Sequence, residues 1–456
     1  MIQVVSGSTP ASIGSGVQYT NLLGGLRQTI ATVPVGDIVP IACTLRNIFL
    51  RISVAPGVGA SRVFTLMIGG SPTGATITIA DDQTFGAFLS PDISLVADSY
   101  VHLKCEEFGG PATAGFIRYS YEVETDGATT AVFFGNGAGA INSYPTKFGG
   151  VLNQIAPWGR DIDGYPGDCI NVMPIDGTIT GYRLRFARGL PNKIHAEPCK
   201  HDNPPGILEG TFTIYKSTDG GASFIPQIGP IYPETRLERF CPSSWWEHGD
   251  IDGVAFSLPV SRGDLLYMRW DNMWAGSAQW GVSVGVTFES SVANQWPYCG
   301  EPTSLSGGGG SAEYNAIFAP HSFGWSGTQA GRIVSEGGVS DFSLSDFILY
   351  LHTSPGAGDT RVFETMLNGT PQTLAVTLSD SDQIAEDLIN NVPIVYGDLF
   401  GLKMSTTGSP AASKVSWGFI QDTSTATGGG GEIPGDLPIL GEIGPYMVHH
   451  WPREIP

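Results

Sequence analysis

The chain is poor in charge, and poorest in positive charge. Only 14% of its 456 residues are charged, 23 of them Lys or Arg and 43 Asp or Glu, against about 25% in an average soluble domain. A net charge of −20 leaves no clustered cations to follow a phosphate backbone, so nucleic acid is not an expected partner. The sequence has no run of about 20 apolar residues, so no membrane-spanning helix and no membrane partner are expected. The opening stretch MIQVVSGSTPASIGSG has neither a basic segment nor a long apolar one, so no secretory leader is expected. Signatures of catalysis are missing as well: there is no Gly-x-Ser-x-Gly elbow, no His-Glu-x-x-His helix and no phosphate-binding loop. The chain is therefore not expected to be an enzyme. Its six cysteines are too scattered for a secreted disulfide framework.

What is present in quantity is glycine, 62 residues, and proline, 32. Both interrupt helices, while 41% hydrophobic and 10% aromatic residues can fill sizeable cores. A globular, mostly β chain of about three domains follows.

The domains are related by internal repeats. Pro40 to Ile52 aligns without a gap to Pro174 to Phe186, and a third copy, Val339 to Leu351, keeps the apolar positions without the Pro-Ile start. The alternation marks a strand buried on one face. The first and third copies continue together. Pro56-Gly57 and Pro355-Gly356 open a turn, Arg62-Val63-Phe64 and Arg361-Val362-Phe363 begin a strand, and Gly70-Ser71-Pro72 and Gly369-Thr370-Pro371 turn into a second one. Each copy then closes with an acidic turn and two strands, the second strands being Phe116 to Val123, Trp280 to Phe288 and Val415 to Phe419. The expected architecture is all-β: three tandem antiparallel β-sandwiches at 1–125, 126–292 and 293–425, and a Gly/Pro-rich tail at 426–456. The middle copy carries an insertion from about Leu190 to Gly206 and an excursion from about Pro226 to Asp252.

This order of strands and turns resembles the jelly-roll modules, similar to the tumour-necrosis-factor fold, of phage fibre and appendage proteins and of trimeric bacterial surface filaments. The resembling segments are Ile48 to Glu122 and Phe347 to Phe419. The resemblance implies a virion or surface component, made in the host cytoplasm if viral, that assembles as a symmetric oligomer, often a trimer, with other virion proteins. It supplies no catalytic residues and no cofactor.

Several groups are candidates for more specific chemistry. Asp161, Asp163, Asp250 and Asp252 lie in two identical Asp-Ile-Asp-Gly tetrapeptides, and paired carboxylates beside a glycine turn suit calcium, although both lack the distal Glu of an EF-hand loop. His195, Cys199, His201, Cys241 and His248 either bind zinc, or include a Cys199–Cys241 disulfide, or are unlinked. Ser217 to Phe224 resembles the Asp-box of sialidases, which is a hairpin turn and not a catalytic element. Trp245, Trp246 and Trp274 are read as loop residues and as contacts for a partner protein or a glycan. In the tail, Ile439, Leu440, Tyr446 and Trp451 are expected to dock on an adjacent subunit, with the prolines lowering the ordering cost. Two functions follow: a non-enzymatic structural protein of a phage or similar virion, or a carbohydrate- or host-receptor-binding protein that uses the middle insertions. The last segment, 293–456, holds 5 basic and 17 acidic residues, a net of −12, which reads as solvated outer surface or as a surface for a basic partner. The low charge elsewhere suits a protein whose exterior contacts neighbours.

Overall fold

A computed structural model describes residues 1–8, 13, 16–20, 36–89, 91–110, 117–138, 146–152, 170–189, 211–231, 234–241, 244–251, 257–271, 280–305, 312–317, 325, 327, 335–336, 341–395 and 398–424. Among these residues there are strands and turns and no helix.

The strands fall into three stretches. The first holds β1 (Ile2–Ser8), β2 (Gln18–Thr20), β3 (Asp37–Ile38), β4 (Cys43–Ile52), β5 (Gly57–Ile68), β6 (Ser71–Asp81), β7 (Phe85–Phe88), β8 (Ile93–Leu95), β9 (Tyr100–Phe108) and β10 (Ile117–Glu124). The second holds β11 (Thr130–Ala138), β12 (Thr146–Gly149), β13 (Asn171–Val172), β14 (Gly177–Gly189), β15 (Thr211–Ser217), β16 (Ile225–Ile231), β17 (Glu234–Cys241), β18 (Ser244–Ile251), β19 (Leu258–Val260), β20 (Leu265–Asp271) and β21 (Trp280–Ser290). The third holds β22 (Gln295–Leu305), β23 (Glu313–Asn315), β24 (Ser335–Glu336), β25 (Phe342–Leu351), β26 (Gly356–Leu367), β27 (Thr370–Asp380), β28 (Ile384–Ile394), β29 (Leu399–Thr407) and β30 (Ser413–Asp422).

Six antiparallel sheets result, and none mixes strands from two stretches. The first stretch makes β1-β10-β4-β7 and β2-β9-β5-β6, the second β11-β21-β14-β18-β17 and β12-β20-β15-β16, and the third β22-β30-β25-β28 and β23-β29-β26-β27. When the common strands of each stretch are counted one to eight, every pair of sheets has the same order, 1-8-3-6 facing 2-7-4-5. That double Greek key is the jelly roll. The short strands β3, β13 and β24 are extra, as are β8 and β19, which pair with β4 and β14, and β17, which widens one sheet of the second pair.

Alternation explains the strands. In β6 the buried residues are Ala75, Ile77 and Ile79, every second position, and β27 repeats this with Leu374, Val376 and Leu378. The turns are built by residues that tolerate a left-handed backbone. Gly69 and Gly70 between β5 and β6, and Asn368 and Gly369 between β26 and β27, all have positive φ, as a type I′ hairpin turn requires. At the far end of the same hairpins Asp81 and Asp380 have φ near 54° and 53°. Their carboxylates accept the backbone N–H of Gly59 at 2.7 Å and of Gly358 at 2.6 Å. The first and third hairpins are one structure written twice.

Each pair of sheets encloses one core. Leu45, Leu50 and Tyr119 of one sheet meet Phe64, Ile77 and Leu103 of the other in the first pair. Ile179, Val286 and Phe288 meet Phe212, Ile214 and Met268 in the second, and Leu349, Trp417 and Phe419 meet Phe363, Val376 and Leu402 in the third. Two arginines at equivalent positions are fully buried beside these cores. The guanidinium of Arg62 donates to the carbonyl of Ile13 at 3.3 Å and that of Arg361 to the carbonyl of Ala411 at 2.7 Å. Each thereby ties a residue distant in sequence, Ile13 or Ala411, to the sheet that carries the arginine.

Candidate functional site

Most residues singled out in the sequence lie outside the described part of the chain: Asp161, Asp163, Asp252, Trp274, Ile439, Leu440, Tyr446 and Trp451, together with His195, Cys199 and His201. Asp250, Trp245 and Trp246 are placed by their backbone on β18, and Cys241 and His248 on β17 and β18. The expectation that Trp245 and Trp246 sit in loops is therefore corrected. Trp245 pairs with Arg239, and Trp246 with Glu238 on one side and Gly189 on the other. The stretch read as an excursion is a run of strands, because its β-favouring aromatic and branched residues complete a hairpin against β14. Among the described residues no group of three or more His, Cys, Asp or Glu is arranged to hold a metal ion.

The Asp-box sequence forms the turn expected of it. Asp219 accepts from the Ser217 hydroxyl at 2.7 Å and from the Ser223 backbone N–H at 2.9 Å, and the Gly221 N–H donates to the Ser217 hydroxyl at 2.9 Å. Hydrogen bonds from Ser217 and then Ser223 hold the Asp219 carboxyl down at about 2. The turn belongs to an interface: a side-chain carbon at Gly221 would lie 2.7 Å from the hydroxyl of Tyr350, in the third stretch.

Contacts between the sheet pairs are the most developed feature of the described surface. Between the first and second pairs, the segment Ile38 to Pro40 crosses β21 at Gly285. A Cβ there would meet the Ile38 carbonyl at 2.6 Å and the Pro40 ring at 3.1 Å, so only glycine allows this approach. Arg183 donates through Nε to the Pro40 carbonyl at 2.7 Å and pairs with Asp98. Val132 and Phe134 of β11 are buried in the core of the first pair, not their own.

Between the second and third pairs the same devices recur. A Cβ on Gly418 would meet the Val172 carbonyl at 2.7 Å and the Pro174 ring at 3.0 Å. The Cys299 thiol donates to that same carbonyl at 3.5 Å. Ile170, Val172, Leu265 and Tyr267 form one apolar cluster with Ile348 and Tyr350, while Trp296, Cys299 and Ile420 complete the core of the second pair. Arg262 bridges Asp346 at 3.0 Å and Glu386 at 3.2 Å.

The third pair also meets the first. Val4 is buried in the third pair's core, and the Thr423 hydroxyl donates to the Ile2 carbonyl at 3.0 Å. Burial pushes the phenols of Tyr119 and Tyr121 well above the ordinary tyrosine value, and both Asp37 and the third pair's Tyr298 add to the shift. Several of these residues stand in the sequence motifs, Pro40 and Pro174 as repeat markers and Gly221 in the Asp-box, but the sequence assigns none of them to a contact between the sheet pairs. A usable signal did exist: β10 and β30 lose the alternation of a half-buried strand and are buried on nearly every residue, as strands covered on both faces are.

Three cysteines in these cores are free thiols, Cys43, Cys105 and Cys299. Burial pushes Cys43 up to about 12, and Cys105 to about 11 with the nearby Arg62 working against the shift; Cys299 is raised by burial too. Since the thiolate is the nucleophile, none of the three should react with iodoacetamide at pH 8 in the folded protein, and all three should after denaturation. Mass spectrometry of labelled peptides checks this; labelling of Cys299 without unfolding would show that the second and third pairs part readily.

No family model matches the chain, and no curated protein matches it. Among solved structures, a chain from the atomic structure of Sulfolobus turreted icosahedral virus is similar over 90% of this chain and 91% of its own, at 11% identity and a TM-score of 0.16. A chain from the structure of the triple jelly roll fold and turret assembly in an archaeal virus is similar over 90% of each, at 10% identity and a TM-score of 0.18. At that level of superposition neither neighbour bears on the function of this chain.

Proposed function

We propose that this protein is a non-enzymatic structural component of a phage or similar virion, a decoration, fibre or tail protein, and that it works by burying surface against neighbours. The observation that supports this reading is the repeated use of jelly-roll faces for packing: glycines cleared for a neighbour's carbonyl, first strands buried in another pair's core, and arginines bridging turns. Jelly rolls serve both in capsids and in lectins; faces spent on packing fit the first use. Domains at 1–125, 126–292 and 293–425 and a docking tail at 426–456 belong to the reading. Assembly extends from this chain to other copies or to other virion proteins, in the place that the resemblance to fibre modules suggests.

Quantitative mass spectrometry of purified particles is the direct test, with the chain expected in fixed stoichiometry to the other particle proteins; recovery only as free protein overturns the reading. Removing residues 432–456, and with them Ile439, Leu440, Tyr446 and Trp451, is expected to leave the melting curve unchanged and to lower incorporation into particles several-fold. Unchanged incorporation would remove the tail from the mechanism.

A second reading, binding of a glycan or host receptor, has one observation in its favour. Among the described residues, one sheet of the middle pair is widened by β17, whose hairpin partner β18 carries Trp245 and Trp246. A glycan array with the intact protein and its Trp245→Ala and Trp246→Ala variants separates the two: specific sugar binding lost in the variants favours this reading.

A further inference from the structure

We propose that the chain is a jelly-roll trimer folded from one polypeptide, with its three sheet pairs closed into a ring by the contact of the third with the first. Two tandem contacts, first to second and second to third, would arise in any string of packed domains. The third contact, and the equivalence of all three, distinguish the ring.

The equivalence is positional. The short strands β3, β13 and β24 occupy one place in the fold, each paired to the start of the seventh common strand: Ile38 opposite Tyr100, Val172 opposite Leu265, Glu336 opposite Leu399. Each also touches the first and eighth common strands of another pair. β3 lies on β11 and β21, β13 lies on β22 and β30, and β24 lies on β1 and β10. The direction is the same every time, first onto second, second onto third, third onto first. The first common strands answer in the same sense: Val132 is buried with the first pair, Trp296 with the second, and Val4 with the third.

The receiving position is equivalent too. Gly285, Gly418 and Ser120 are each paired with the matching residue of the third common strand, namely Arg183, Ile348 and Phe49. All three are small. Two of them clear a carbonyl of the neighbouring short strand, and Ser120 instead holds the Ser6 hydroxyl at 3.2 Å.

The beginnings of the three pairs come together as well. The Asn294 N–H donates to the Ala128 carbonyl at 2.8 Å, and the Thr423 hydroxyl at the end of the third pair donates to the Ile2 carbonyl. Head-to-tail contacts that repeat in one direction either close or run on as a filament; here they close after three. The trimer implied by the resemblance to fibre modules is thus met within a single chain. Linking the modules makes each contact intramolecular and raises its effective concentration, and it lets the three differ, as the widened sheet of the second pair does. Further copies must then attach through other surfaces.

The test is to cut the chain while keeping the whole protein. A protease site placed between Val292 and Ala293 frees the third pair from its covalent tie to the second. After cleavage the fragments should co-elute in non-denaturing chromatography with light scattering at the 48.2 kDa of one chain. Gly418→Leu then breaks the second-to-third contact and Val4→Asp the third-to-first contact. In a ring, either substitution alone leaves the cut third fragment attached, and only the two together release it. Release by Gly418→Leu alone, to the same extent as by the pair, means an open string and overturns the proposal. Should Gly418→Leu prevent folding, judged by the melt of the uncut chain, Arg262→Glu attacks the same contact through its charge and is read in the same way. A mass of three chains for the uncut wild type, dissociating to misfolded single chains on dilution, would also overturn it.

Discussion

Replacing Trp417 with alanine is expected to lower the unfolding free energy of the third jelly roll by about 3–5 kcal/mol, as for other fully buried large aromatics. Trp417 stands at the middle of β30 with no exposed surface. Its indole N–H donates to the Ile317 carbonyl at 2.7 Å, and Trp325 approaches edge-on with ring centroids 6.0 Å apart. Opposite it on β22 is Gly300, where a Cβ would fall 1.9 Å from the ring. The indole thus fills the space that glycine leaves, and truncation opens a cavity that neither strand can close. It also strands the Ile317 carbonyl, a further cost of about 1–3 kcal/mol if no water replaces the donor. Urea unfolding followed by fluorescence would measure the loss. Trp417→Phe should fall between alanine and wild type, because it retains most of the volume and none of the hydrogen bond. A loss below about 1 kcal/mol for alanine would mean that the core around β30 collapses freely, contrary to rigid packing between two sheets.

The second large effect is acid sensitivity beginning well above the carboxylate range. His102 on β9 is 4% exposed, lies edge-on to Tyr19 and pairs in register with Met67. Burial lowers its pKa to about 4, against about 6.5 for an unperturbed histidine. Between these values the unfolded chain binds a proton that the folded chain does not, so stability falls as the pH is lowered through this window and is fully retained above it. From pH 7 to pH 4.5 the loss attributable to this one side chain is about 2–3 kcal/mol. The Asp219 carboxyl titrates in a separate window: it is held down at about 2, and its contribution disappears only as the pH falls below the ordinary aspartate range. Comparing urea midpoints at the two pH values for wild type and His102→Gln isolates the histidine. The variant should be markedly less sensitive to pH across this range; an equal loss in both proteins would assign the acid sensitivity elsewhere.

The strands themselves were largely legible in the sequence. Alternation in Ala75 to Ile79 and in Leu374 to Leu378, with glycine, asparagine or aspartate where the backbone turns left-handed, suffices to place the hairpins β5–β6 and β26–β27. The repeats beginning at Pro40, Pro174 and Val339 marked the third common strand in each stretch, which occupies the same place in its sheet each time. Trp245 and Trp246 were misread because a long insertion without a repeat partner looks like a loop, although local β propensity favoured the strand they form.

The neighbours of these strands were not legible. A period of two states which face of a strand is apolar, but it carries no record of what covers that face. Tyr119 to Val123, apart from Glu122, and Trp417 to Ile420 are apolar, aromatic or small on both faces; one face meets their own core and the other meets a different sheet pair. Gly285 and Gly418 read as ordinary strand glycines until a carbonyl from the adjacent pair is seen 2.6 and 2.7 Å from where a Cβ would be. Arg62 and Arg361 mark only the beginning of a strand in the sequence; their burial, with the carbonyls of Ile13 and Ala411 as acceptors, appears only in the fold. The sequence alone determined an all-β chain that repeats one order of strands and turns, with little charge to keep its surfaces apart. The tertiary structure decided which surfaces meet, because such contacts depend on the shape and direction of faces brought together only after each unit has folded.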